Sequence, residues 1–185
     1  MDALQALQHR VSCPRLTSPG PTPEQLEQLI RAAVRVPDHA RLRPWRFLLI
    51  EGDSLDKFGE LLVKAQLAQN PGASAVAMQK TRNKARRAPA IIVAIASIKA
   101  HPKVPEIEQI ISAGAAANNI ITAAFSLGLG AMWRTGTAAY HPIIKQGLGL
   151  VADEHIIGFI YLGTPAAKLK SVPDLAIEDF FQPWS

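Results

Sequence analysis

Apolar residues recur along this chain with two periods, and each change of period marks an element. Leu26, Leu29, Ile30 and Ala33 follow one another at i, i+3, i+4 and i+7, one stripe of a helix. Thr22 precedes it as N-cap, with Pro23 at the first helical position and Gln25 completing a capping box. Pro37 stops this helix, because the residue before a proline is pushed out of the helical region. Phe47 to Ile50 is an unbroken apolar run, so 46–51 is predicted as a strand buried on both faces. A helix follows, capped by Asp53 or Ser54, with Leu55, Phe58, Leu61, Leu62 and Ala65 as its stripe and Asn70-Pro71-Gly72 as its end. A further helix is predicted from Ser74 to Arg87 and a second buried strand from Pro89 to Ser97. Residues 106–127 read as one long helix rich in Ala and Gly, stopped at Gly128 or Gly130. Strands at 131–134 and 156–162 enclose a short helix within 141–149. Before all these come a short helix over Asp2 to Gln8 and a turn-rich connector at 17–23.

Long helices mixed with a few buried strands predict an α+β fold rather than strict strand–helix alternation. At 185 residues and 48% hydrophobic content, the chain reads as one domain over 1–185 with a real core. The 106–127 segment has the length of a membrane span, but Gln109, Ser112, Asn118 and Asn119 within it argue for a closely packed soluble helix. The N-terminus has no apolar run of signal-peptide type. From Pro165 the chain becomes a tail whose Phe180, Phe181 and Trp184 must find a surface to cover them.

Charge and cysteine content narrow the chemistry. The single cysteine, Cys13, excludes an intrachain disulfide and suits a reducing cytoplasm. With no base identifiable beside it, it reads as a structural thiol. The net charge of +5 admits nucleic acid, an anionic cofactor or plain solubility. The basic residues are dispersed except at 80–87, where a solvated helix end is favoured by the helix dipole. No RNA-binding signature or zinc-finger spacing occurs, and aromatics for stacking bases are few. His101, His141 and His155 are scattered and form no metal motif, and no nucleophile elbow for a hydrolase is present.

Candidate binding groups lie elsewhere. The loop between Pro37 and Pro44 carries Asp38, His39, Arg41 and Arg43, with Trp45 after it. Its spacing alone fits a surface loop as well as a binding loop. Arg10 and Ser12 offer a two-pronged cation and a hydroxyl suited to phosphate, or an ordinary helix end with an exposed arginine. Gly128-Leu129-Gly130 is no dinucleotide loop, because it follows a helix rather than a strand.

Four segments in order shift the balance. They are H-R-x-S at 9–12, P-D-H-x-x-x-x-P-W-R-F at 37–47, G-x-G-x-x-W-R-T-G at 128–136 and G-F-I-Y-L-G-T-P at 158–165. Together they resemble the FMN-dependent nitroreductase family, most closely its small YdjA-like branch, across nearly the whole chain. The resemblance implies a nitroreductase-like fold, with a central, mostly antiparallel sheet flanked by helices, in an intertwined homodimer. The tail from 165 to 185 would then pack on the partner chain. It implies an oxidoreductase that passes electrons from NAD(P)H through bound FMN to nitroaromatic, quinone or similar acceptors, by ping-pong exchange. The flavin is then the redox centre and no side chain acts as catalyst. By resemblance, Arg10, Val11 and Ser12 contact FMN, Trp133, Arg134 and Thr135 line the flavin, and Arg35 and His39 reach it from the partner subunit. The reading from another class is a basic, non-enzymatic module for nucleic acid or another polyanion.

The chain departs from the family pattern in places. Arg43 stands where Gln is usual before Pro-Trp, Val11 replaces a cation in the first segment, and Pro14 stands where many relatives are basic. Lys168 and Lys170 are the only cations available to replace a C-terminal phosphate-binding Arg found in larger relatives.

Overall fold

The twelve-residue strand β5 (Glu154–Pro165) holds the sheet together. In the computed structural model, which describes residues 1–184, one edge of β5 pairs with β3 (Ala90–Ser97). Its other edge pairs with β4 (Gly130–Arg134), and its end also pairs with the two-residue strand β1 (Leu16–Thr17). β2 (Trp45–Glu51) completes the order β1-β5-β3-β2, and every pairing is antiparallel. This is the expected α+β architecture, with helices on both faces of the sheet.

Each face carries its own core. On one, α2 (Pro23–Ala33) and α5 (Glu106–Ser126) bury Leu29, Ile120 and Ala124 against Ile92, Ile160 and Leu162. On the other, α3 (Asp53–Gln69), followed by α4 (Ala75–Arg82), and α6 (Pro142–Gly147) bury Phe58, Leu62 and Ile144 against Ile91, Val93, Phe159 and Tyr161. Burying one such large side chain is worth about 1.5–3 kcal/mol.

The polar residues of α5 have structural partners. Gln109 is buried, accepts from the Lys99 N–H and donates to the Lys99 carbonyl, both at 2.9 Å. Asn119 donates to the Ala32 carbonyl at 3.0 Å, fastening α5 to α2. Gly128, at φ 76°, ends the helix in the left-handed conformation that glycine tolerates. Among the described residues, no helix is long and apolar enough to cross a membrane.

The structure corrects three sequence expectations. β2 is not buried on both faces. It is an edge strand in which only Ile50 is buried, and Leu49 is 43% exposed. The predicted helix over 74–87 stops at Arg82, and a separate 3-10 turn at Ala85–Arg87 follows. Thr17, placed in a connector, instead pairs with Thr164, in a strand too short to carry a periodic signal. The tail from Ala166 onward is exposed along nearly its whole length.

Candidate functional site

The N-terminal segment is fastened to the outer edge of β4. α1 (Ala3–His9) opens with an Asp2–Gln5 capping box, and Arg10 sits at its C-cap. Beyond it the Cys13 N–H donates to the Ala131 carbonyl at 2.8 Å. Gly130 allows this approach, since a Cβ there would lie 2.5 Å from Leu16 and 3.1 Å from the Cys13 sulfur. Cys13 is buried, and its thiol donates to the Arg15 carbonyl at 3.3 Å, in keeping with a structural role. Ser12 lines a small hollow together with Arg15, Lys168 and Lys170. The tail thus brings two cations to the serine. Arg10 and Val11 are half-buried beside it.

The contact with Cys13 also fixes the direction of the β4 backbone. The Ala131 carbonyl points away from β5, and peptide groups alternate along a strand. Trp133, two residues on, therefore turns its N–H and carbonyl to the same free edge. From Ala131 to Thr135 is roughly 13 Å at about 3.3 Å per residue.

Side chains alternate as well. Trp133 lies on the α5 face and donates its indole N–H to the Ile157 carbonyl at 3.3 Å. The glycine at 158 makes this possible, because a Cβ there would meet Trp133 Nε1 at 2.0 Å. Arg134 lies on the α3 face, with its guanidinium carbon 5.7 Å from the Tyr161 ring centroid. Arg134 Nε is buried without a hydrogen-bond partner. Burial pushes the Tyr161 phenol up from its ordinary pKa, against the opposing pull of Arg87 and Arg134, so it stays protonated at neutral pH.

Trp133, Arg134 and Thr135 line a cavity of about 420 Å³ with Phe58, Phe159 and Tyr161. Lys84 and Arg87 also line it, and no carboxylate does. These two cations were missed in the sequence, where the whole 80–87 cluster reads as a solvated helix end. The cluster is divided in two. Arg82 pairs with Glu60 and Arg86 with Asp56, both across to α3. Lys84 and Arg87 have no ion-pair partner among the described residues and border the cavity instead.

Arg35 and His39 do not line this cavity. Arg35 follows the end of α2, and His39 Nδ1 lies 2.7 Å from Glu108 Oε2 at the start of α5. The loop that carries His39 is held in an uncommon shape, with Ala40, Arg41 and Arg43 at φ 60°, 54° and 49°. Asp38 holds it there, its carboxylate accepting from the N–H groups of Leu42 at 3.1 Å and Arg43 at 2.7 Å. Pro44 stands at the strand entrance as expected, its carbonyl accepting from the Ser97 N–H.

Residues 7–164 match the model of the Nitroreductase family. The Escherichia coli (strain K12) protein named "Putative NAD(P)H nitroreductase YdjA" is 40% identical over 177 residues, covering 94% of this chain and 96% of that one. Among solved structures, a nitroreductase-like family protein from Bacillus cereus superposes with a TM-score of 0.85 at 19% identity, over 100% of this chain and 96% of the other. A nitroreductase with bound FMN from Bacteroides fragilis gives 0.74 at 18% identity over the full length of both. At these identities the structural likeness speaks for the fold alone. Family model, 40% identity and fold agree: this chain belongs to the nitroreductase family.

Proposed function

We propose that this protein is an FMN-dependent NAD(P)H oxidoreductase acting on nitroaromatic, quinone or similar electron-poor acceptors by ping-pong exchange. The free edge of β4 carries this reading. At one end of it lie Arg10, Ser12 and the lysines of the tail; Trp133 to Thr135 follow at roughly 7 to 13 Å from Ala131. That is the separation of charge and ring that an elongated phosphate-bearing cofactor needs.

The residues present fit FMN. Arg10 and Ser12 supply charge-assisted donors to a phosphate, and Lys168 and Lys170 add positive charge across the hollow. The outward backbone groups of Trp133 offer a donor and an acceptor to the polar edge of a flavin ring. When bound, FMN supplies the electron exchange between nicotinamide and acceptor. The protein's part is to hold, orient and shield, so no side-chain nucleophile is required.

The working unit is a homodimer. Leu4 and Leu7 on α1, and Ile107 and Ile111 on α5, are each at least 59% exposed. The β2 edge adds an apolar groove lined by Leu26, Ile30, Phe47 and Leu49. Phe180, Phe181 and Trp184 of the tail, themselves exposed, supply matching apolar groups. In this assembly Arg35 and His39, away from their own chain's cavity, reach the partner's flavin. The lone thiol fits a cytoplasmic protein. A concave, aromatic-lined cavity suits a small ligand better than a polymer such as nucleic acid.

The purified protein should be yellow, absorbing near about 450 nm, a property of the cofactor. Arg10→Ala should lower FMN affinity by about 1.5–3 kcal/mol, typical of a hydrogen bond to a charged group, and leave riboflavin affinity unchanged. A colourless protein that binds no FMN but retains single-stranded DNA would overturn the reading.

A further inference from the structure

The loop from Pro37 to Pro44 carries strain and charge that neither the sheet nor a flavin accounts for. Ala40, Arg41 and Arg43 are left-handed without being glycine. Such a backbone persists only where its surroundings impose it, and it clusters at ligand clamps. Two fastenings impose it here. From within the loop, the Asp38 carboxylate accepts from the N–H groups of Leu42 and Arg43. From outside, Lys99, just past the end of β3, donates its ammonium to the Leu42 carbonyl at 2.5 Å. Leu42 is thus held by both its backbone polar groups, and Arg41 and Arg43 on either side of it extend from a fixed base.

These cations are not neutralised. Arg41, Arg43 and Lys99 are exposed and have no ion-pair partner among the described residues. The carboxylates of the neighbouring segments are engaged elsewhere. Asp38 serves the loop's own N–H groups, Glu108 meets His39, Glu106 meets His155 and Glu154 meets Arg46. Asp153, whose carbonyl accepts from the Ile98 N–H, forms no ion pair with any of the three cations. Like charges gathered on one rigid loop repel one another until an anion joins them. Arg43 also stands where an uncharged Gln is usual before Pro-Trp, so part of this charge is particular to this chain.

The two possible hydride donors differ in one group. NADPH carries a phosphate on the adenosine 2′-oxygen, where NADH has a hydroxyl. Guanidinium forks suit a phosphate. A 2′-hydroxyl is met by a free carboxylate, and this loop has none left. We propose that Arg41, Arg43 and Lys99 seat the 2′-phosphate of the hydride donor, so that the protein takes NADPH in preference to NADH. The assignment rests on the flavin reading above, in which His39 of the same loop reaches the partner's flavin and places the nicotinamide beside it.

A pair of nucleotides that cannot be oxidised tests the seat directly. Adenosine 2′,5′-bisphosphate and adenosine 5′-phosphate, which differ only in the 2′-phosphate, are titrated by calorimetry into the full-length protein as purified. The bisphosphate should bind at least about tenfold more tightly, the scale of one charge-assisted hydrogen bond. Asparagine removes the charge and tolerates the left-handed backbone. Arg41→Asn and Arg43→Asn should therefore each remove about tenfold of bisphosphate affinity and leave the monophosphate unchanged. Lys57→Met, on α3, should alter neither. In turnover, each loop variant should raise KM for NADPH about tenfold with little change in kcat, the mark of lost ground-state binding, and leave KM for NADH as it was.

Equal affinity for the two nucleotides, or bisphosphate binding untouched by both substitutions, overturns the proposal. So does an equal loss of NADPH and NADH, which makes the loop a support for the whole site rather than a reader of one phosphate. Inorganic phosphate that binds as tightly as the bisphosphate, and displaces it, assigns the cations to a free anion and removes the donor. A colourless protein that still binds the bisphosphate through Arg41 and Arg43 keeps the phosphate seat and loses the flavin reading. One that holds FMN and does not distinguish the nucleotides does the reverse.

Discussion

Arg46 and Glu154, 108 residues apart in the chain, are joined across β3 by two hydrogen bonds of 2.5 and 2.7 Å. The Glu154 side chain is almost fully buried and that of Arg46 is one-third exposed. The pair ties the edge strand β2 to the start of β5, and the Val151 N–H also donates to Glu154. The Arg46 hydrogen bond holds the Glu154 carboxyl below the usual carboxylate range, against the upward push of burial.

A lowered folded pKa means stability that is fully present above the unfolded value of about 4.3 and lost as pH falls through the folded one. Arg46→Met should destabilise the protein by about 3 kcal/mol at neutral pH, the low end for removing one partner of a buried pair. The difference from the parent should shrink as the pH drops below the unfolded carboxyl value. Urea midpoints across an acid series check this, and a difference that stays constant into acid would sink it.

Gly158→Ala should displace the Trp133 indole, because the new methyl would sit 2.0 Å from Nε1. A cost of about 1–3 kcal/mol is expected for such overpacking. In a Trp133→Leu background most of that cost should vanish. A double-mutant cycle measures the coupling, and additive effects would mean that Trp133 is not the residue displaced.

Removal of the tail after Ala167 keeps the bond from the Ala166 N–H to the Arg15 carbonyl but deletes Phe180, Phe181 and Trp184. Each large apolar side chain is worth about 1.5–3 kcal/mol when fully buried. The shortened chain should melt earlier and dissociate at higher concentration in sedimentation experiments. An unchanged dimer with an unchanged melting point would show that the tail covers nothing.

Shared sites predict complementation. Arg10→Ala in one chain, and Arg35→Ala with His39→Ala in the other, should each give an inactive homodimer. A mixed dimer then carries one doubly defective site and one intact site. It should recover up to about half of parental activity, by two-fold symmetry. Inactive isolated heterodimers would instead return Arg35 and His39 to the site of their own chain.

Features with a local cause were legible in the sequence. The Thr22–Gln25 capping box forms with both hydrogen bonds, and Pro44 marks the entrance of β2. What was hidden depends on partners far along the chain. The run Phe47 to Ile50 looks like a central strand, yet nothing in it reveals that β2 has only one neighbour within the chain. The basic cluster at 80–87 gives no sign that alternate cations face in different directions. Only the break after Arg82, and the carboxylates of Asp56 and Glu60 on α3, separate the paired arginines from Lys84 and Arg87. The 37–47 segment drew attention as a motif, but its left-handed backbone and the hold of Asp38 required coordinates.

The pairing of β1 with the end of β5 sets a clock on biosynthesis. Thr164 donates its hydroxyl to the Pro19 carbonyl across a gap of 145 residues. At about 5–20 residues per second, a ribosome needs roughly 7–30 s to supply that partner. Until then the segment bearing Arg10 and Ser12 lacks β5, and β4, ending at Arg134, is itself made only late in that interval. The end of the cleft that would grip a phosphate is therefore among the last parts of the nascent chain to be assembled, and cofactor loading belongs after release rather than during translation.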